Sequence, residues 1–211
     1  MREEVTKRKK RKVRSDKKRD VKPTVCNHLK DCIYRLSYII NTPVKDVSET
    51  LCQEGLRSRK VIDYLSIHFR RDLQHLNTIY MGDSKRESLQ RRRHEGSTSR
   101  LTIRFTPQTY ENIYSLSTAL DVTPSKATAL LLDASVRNVD LLNTFVKDYV
   151  EGQIDEGRMK ELRQVLKYIN KNNPYDEEVS WFSLLSMIME EFKDSSLHIK
   201  DRIYQWMDRY R

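Results

Sequence analysis

Arg100-Leu101-Thr102-Ile103-Arg104-Phe105-Thr106-Pro107 alternates apolar and polar residues for one short run and then breaks. Leu101, Ile103 and Phe105 fall on one face of a strand, and Arg100, Thr102 and Arg104 on the other. Thr106-Pro107 reads as a helix start, with a capping hydroxyl and a proline at the first helical position. A helix follows over Gln108–Leu120, and Thr123-Pro124 opens another. A lone strand cannot satisfy its own backbone, so this one needs a partner. A two-stranded ribbon with basic and hydroxyl side chains on its free face fits the major groove of DNA.

The 211 residues carry a net charge of +10, unevenly placed. Residues 1–22 account for +8 and residues 85–100 for +4, while residues 101–211 sum to −3. Basic segments thus precede each of two apolar-patterned stretches, a layout suited to a polyanionic partner. The plainer reading is that a lysine-rich terminus only aids solubility. No apolar run reaches the roughly 18–20 residues of a membrane span, so no membrane partner is expected. Three cysteines without an apolar export signal point to reduced thiols and a cytoplasmic location.

Five stretches follow from this patterning. Residues 1–22 form a disordered basic arm and 83–99 a basic, flexible linker ending in the hinge Gly96-Ser97-Thr98-Ser99. Residues 23–82 and 100–150 form two units that resemble each other, and 151–211 a helical extension. At a spacing of 80, Ile33, Leu36 and Ile40 meet Ile113, Leu116 and Leu120, each an i, i+3, i+7 stripe. At a spacing of 81, Thr42-Pro43 meets Thr123-Pro124, which implies one inserted residue in the turn between helices. The extension shows stripes at Met159, Leu162, Leu166 and Ile169, at Trp181, Leu185, Ile188 and Phe192, and at Ile199, Ile203, Met207 and Tyr210.

Leu101–Asn138 resembles the ribbon-helix-helix, or Arc/MetJ-type, DNA-binding domain, through the strand, the Thr106-Pro107 start and the helix opened by Thr123-Pro124-Ser125-Lys126. The implied fold is mainly α: ribbon-helix-helix-like units, each a short ribbon strand with helices, followed by the helical extension. The implied base readers are Arg100, Thr102 and Arg104, with Lys22 and Thr24 on the weaker strand Val21–Val25 of copy one. The implied phosphate contacts are Thr123, Ser125 and Lys126, with Thr42 and Lys45 in copy one and Arg91, Arg92 and Arg93 in the linker. Chemistry agrees: Arg pairs bidentately with guanine, and free helix N–H groups bind anions. The chain departs from the family in lacking a glycine in Asp121-Val122-Thr123 and in carrying Pro23 within a strand. A ribbon tolerates proline where its missing N–H faces the open edge. Val21–Val25 can pair with Leu101–Phe105 of its own chain, or Leu101–Phe105 can pair with its counterpart in a second copy.

Other chemistries find little support. Cys26, His28 and Cys32 lack a fourth zinc ligand at usual spacing. The His68-Phe69-Arg70-Arg71 cluster with eleven tyrosines does not single out a nucleophile, and no phosphate-cradling glycine loop is present. The expectation is therefore a non-enzymatic protein without cofactor or metal, partnered with double-stranded DNA and forming a homo-oligomer. A bacterial transcriptional repressor fits first. An accessory protein of plasmid transfer or partition is the alternative, and an antitoxin or adaptor acting through its C-terminal helices belongs to another class.

Overall fold

The computed structural model describes residues 16–92, 96–150, 156–171 and 173–175. They are mainly helical, with small antiparallel strand pairs. The first run is β1 (Arg19–Val21), β2 (Thr24–Cys26), α1 (Asn27–Ile39), α2 (Val44–Arg57) and α3 (Arg59–Ser66). A hairpin, β3 (Leu73–His75) and β4 (Thr78–Tyr80), separates it from a second run. That run is β5 (Thr98–Arg100), β6 (Ile103–Phe105), α4 (Pro107–Leu120), α5 (Pro124–Arg137) and α6 (Val139–Val150), and α7 (Glu156–Asn170) follows. The expected stripes at Trp181–Phe192 and Ile199–Tyr210 lie outside the described residues, as do 1–15 of the basic arm and Arg93.

The strand finds its partner within the chain. β1 pairs with β6 and β2 with β5, both antiparallel and in one register: Val21 faces Ile103, and Thr24 faces Arg100. The two pairs form one ribbon that runs on through Pro23 and Leu101, where the Leu101 N–H donates to the Pro23 carbonyl at 3.1 Å. Pro23 therefore sits at a bonded position of the ladder and not at the open edge, contrary to expectation. It has no N–H to return, so the ribbon forgoes one bond at its middle. Burial of Val21, Pro23, Val25, Leu101, Ile103 and Phe105 on the helix-facing side offsets that loss. Each fully buried Val, Ile or Phe contributes roughly 1.5–3 kcal/mol, against about 1 kcal/mol net for one hydrogen bond.

The two runs repeat each other at one spacing. Asn27 and Pro107 open α1 and α4, Val44 and Pro124 open α2 and α5, and each pair is 80 apart. Ser58 and Asn138 cap the next helices with side-chain oxygens that accept from Val61 and Leu141 N–H. Ser48 and Thr128, both fully buried, donate back to the carbonyls of Val44 and Pro124. α2 packs against α5, and Leu51 and Leu131 are both buried in the shared core.

The interhelix turns correct the expected insertion. Asn41 and Asp121, again 80 apart, both adopt the left-handed region, with φ of 50° and 55°. The N–H groups of Thr42 and Val122 reach back to the carbonyls of Ser37 and Ser117 in both turns. Asn and Asp tolerate this conformation better than most residues, which is how the turn dispenses with glycine. The turns are equal in length, and the 81-residue match of Thr42-Pro43 to Thr123-Pro124 is one position out of structural register. Pro43 occupies the cap position of α2 without a side-chain bond, and the Thr42 hydroxyl donates to the Ile40 carbonyl instead.

Two boundaries also move. β1 begins at Arg19, inside the stretch expected as free arm, and Lys18 is tied to buried Glu49 at 2.6 Å. The linker is not loose over its described length: Leu89 is buried, Arg86 donates to the carbonyls of Ser66 and Phe69, and Thr98–Arg100 is strand. At the expected hinge the Asn27 side chain donates to the Ser97 hydroxyl and accepts from the Ser99 hydroxyl. The two units are therefore interlocked through a common ribbon and core, not strung as separate beads. α7 lies along α1 with Met159, Leu162, Val165, Leu166 and Ile169 buried. An Arg35–Glu161 ion pair joins the two helices. Arg137 donates to the carbonyls of Tyr168, Ile169 and Lys171 at the end of α7, a cation on the negative end of a helix.

Candidate nucleic-acid interface

The free face of the ribbon carries six side chains in three cross-strand rows. Asp20 lies opposite Arg104, Lys22 opposite Thr102, and Thr24 opposite Arg100. All six residues are exposed, while their neighbours in sequence at 21, 23, 25, 101, 103 and 105 are buried. The five expected readers Lys22, Thr24, Arg100, Thr102 and Arg104 thus stand together on one surface. These rows are the non-bonded pairs of the ladder, in which facing side chains approach most closely. At about 3.3 Å per residue, Arg100 and Arg104 stand about 13 Å apart along one strand.

Asp20 is a sixth member that the sequence reading passed over as part of the arm. Its carboxylate meets the Arg104 guanidinium, with Nε and Oδ1 3.1 Å apart. Both side chains are about half exposed or more, so the pair contributes little to stability and mainly sets where Arg104 points. The signal was available: position 20 continues the even-numbered face of Lys22 and Thr24.

The N-terminus of α5 flanks the ribbon. Thr123 caps it, accepting from the Lys126 N–H, and Pro124 takes the first helical position. The linker lies across this end. The Gln90 Oε1 accepts from the Thr123 N–H at 2.9 Å, and the Lys126 ammonium donates to the Arg92 carbonyl at 2.9 Å. Ser125 is half-buried here, and Arg91 and Arg92 are exposed. Of the groups expected to hold phosphate, Lys126 and the Thr123 N–H are already partnered by the chain.

The corresponding end of α2 differs. Thr42 does not cap, Lys45 is exposed, and Asp46 places a carboxylate in the first turn where α5 has none. Negative charge there satisfies the helix dipole internally and opposes a phosphate. Thr42 and Lys45 are therefore not the structural equivalents of Thr123 and Lys126, because the register correction puts Asp46 at the position of Lys126.

A cleft of about 750 Å³ opens beside the α5 end, with Tyr64, His68, Arg92, Lys126, Arg137 and Tyr168 on its walls. Its charged walls are mostly basic, with Arg92, Lys126, Arg137 and Lys171 against Asp133. Burial and then the Arg92 charge lower the Lys126 pKa, and burial followed by Arg92 and Arg86 lowers that of His68. The Tyr168 hydroxyl donates to Asp133 at 2.6 Å, and burial pushes the phenol well above its ordinary value. Cys32 is fully enclosed between α1 and its neighbours, and burial pushes its thiol up to about 12. Among the described residues no three His, Cys, Asp or Glu side chains converge as metal ligands, and no helix is long and apolar enough to cross a membrane.

Arg70 and Arg71 have a positional role that the sequence did not announce. Their guanidinium groups meet the two oxygens of Asp121 at 2.7 and 2.8 Å, and their backbone N–H groups both donate to the Ala119 carbonyl. The segment after α3 thereby clamps the left-handed turn that leads into α5. Comparison with family models, with curated proteins and with solved structures gives no match to this chain.

Proposed function

We propose that this chain is a sequence-specific DNA-binding protein of ribbon-helix-helix type that lays its ribbon in the major groove. One observation carries the reading: a two-stranded ribbon, buried on one side, presents Lys22, Thr24, Arg100, Thr102 and Arg104 on the other. A ribbon of this width enters a groove about 12 Å wide, and Arg and Thr side chains can address base edges there. The burial beneath holds the backbone in place, so the readers are presented from a rigid base. The single-chain ribbon needs no second copy to form. Basic residues at 91 and 92, and the excess upstream of residue 19, add sequence-independent attraction to phosphate.

The role that follows most simply is transcriptional repression, by occupying a promoter. The test is recovery and sequencing of genomic fragments bound by the full chain. Sites overlapping promoters are expected. One cluster at a transfer or partition origin would replace repression with an accessory role, and recovery of a protein partner without DNA would overturn the reading.

A further inference from the structure

The ribbon is a pseudo-dimer made by one chain, and its two halves are not chemically equal. The repeat relates each residue to the one 80 positions on, whereas the antiparallel register pairs Asp20 with Arg104 and Thr24 with Arg100. The two relations coincide at Lys22 and Thr102, so the pseudo-two-fold axis passes between them. That axis exchanges Asp20 with Arg100, Lys22 with Thr102, and Thr24 with Arg104. Every exchange changes the chemistry: a carboxylate for a guanidinium, an ammonium for a hydroxyl, a hydroxyl for a guanidinium. Both guanidiniums lie on the β5–β6 strand. One end row holds the Asp20–Arg104 ion pair, and the other holds Thr24 beside an Arg100 with no carboxylate across from it. The flanks are unequal as well, since α5 opens with a Thr123 cap and Lys126 while α2 opens with an uncapped Pro43 and Asp46.

We infer that this protein recognises a non-palindromic DNA sequence in one fixed orientation, with the two end rows of the ribbon specifying different base pairs. The inference rests on the DNA-binding reading above. Two-fold symmetric DNA offers the same edges to both halves of the ribbon, and here one half is always mismatched. Arg100 and Arg104 favour guanine, and Asp20 next to Arg104 accepts from a cytosine amino group or fixes the guanidinium for a guanine. Thr24 is uncharged and donates as readily as it accepts, so it neither holds Arg100 in an ion pair nor selects for a donor as a carboxylate does, and the rows separate.

The experiment is selection of random duplexes by the full chain, followed by binding to three synthetic sites. These are the selected sequence and the two perfect palindromes built by repeating its left or its right half. The expected result is a consensus without two-fold symmetry, with both palindromes bound at least tenfold more weakly. A symmetric consensus, or a palindrome bound as tightly as the selected sequence, would overturn the inference while leaving DNA binding intact. Enrichment of no duplex at all would overturn the DNA-binding reading and the inference with it. A symmetrised chain gives a second readout. Asp20→Arg, Lys22→Thr and Thr24→Arg together make the first strand's face a copy of the second's, at positions that are all exposed. With folding checked by its melting curve, this variant is expected to select a palindrome in the segment under the ribbon. Retention of the original consensus would show that the six side chains do not do the reading.

Discussion

Gly55 and Ser135 occupy the same position of the repeat and meet each other where α2 crosses α5. A Cβ built on Gly55 would lie 1.9 Å from the Ser135 Oγ, 3.1 Å from its Cβ and 3.2 Å from the Leu131 Cδ1. The Ser135 hydroxyl is fully buried and already donates to the Leu131 carbonyl at 2.7 Å. Only one of two dyad-related positions can carry a side chain here, and Gly55 is the one that gives way.

Gly55→Ala is accordingly expected to destabilise the fold by about 1–3 kcal/mol through overpacking. Adding Ser135→Gly should recover much of that loss, because it empties the space the new methyl needs. Urea unfolding of the two single variants and the double variant checks this. Simple additivity of the two effects would show that the crossing is not limited by this contact.

Arg104→Ala is expected to lose roughly 1–3 kcal/mol on the best duplex and to relax preference at one base pair. The loss on a scrambled duplex should be smaller. Asp20→Asn removes a carboxylate from the same face and should raise affinity for scrambled DNA while loosening preference at the Arg104 position. Equal losses on both duplexes for Arg104→Ala would reduce its role to phosphate contact.

Asp121→Ala should destabilise by about 1–2 kcal/mol from the left-handed backbone alone, and by more because Arg70 and Arg71 lose their common carboxylate. Asp121→Gly restores the backbone freedom but not the ion pairs. Their melting temperatures should fall in the order wild type, Gly, Ala; a Gly variant as stable as wild type would mean that the clamp is idle.

His68 is held below its ordinary value of 6.5 by burial and by the charges of Arg92 and Arg86. A depressed histidine leaves stability intact above its unfolded pKa and removes it as pH falls from there through the folded value, since the unfolded state takes up the proton first. Unfolding free energy should therefore drop as pH falls below about 6.5. His68→Gln should flatten part of that fall, the remainder belonging to groups such as His75, which burial shifts the same way. An identical slope in wild type and variant would remove His68 from the account.

The sequence displayed its alternation and its stripes, and these were enough for the ribbon face and for α4, α5 and α7. Thr106 and Thr123 cap as their Thr-Pro context implies. The Thr42-Pro43 match misled because two residues of local likeness outweighed the longer apolar register. The left-handed Asn41 set beside Asp121, and the helix starts Val44 and Pro124 that follow them, show that the turn contains no insertion. Asp20 was hidden by composition, sitting among lysines and arginines that read as a solvated arm. Leu89, Gln90 and Arg86 belong to a polar stretch whose anchoring depends on distant carbonyls and helix ends, and no local pattern encodes those. The β3–β4 hairpin has three-residue strands, too short for an alternation to register, and depends on Gly82, where a Cβ would fall 2.3 Å from the Arg71 backbone.

That β1–β2 and β5–β6 belong to one polypeptide changes how the reading surface depends on dilution. A ribbon shared by two separate molecules exists only above their dissociation constant, and its melting point rises with concentration. Here the closure is unimolecular, so the surface is complete at a single copy. On the proposed DNA-binding role, occupancy of one site is expected to follow a simple hyperbola in protein concentration, without the steeper threshold that an obligate assembly step would impose.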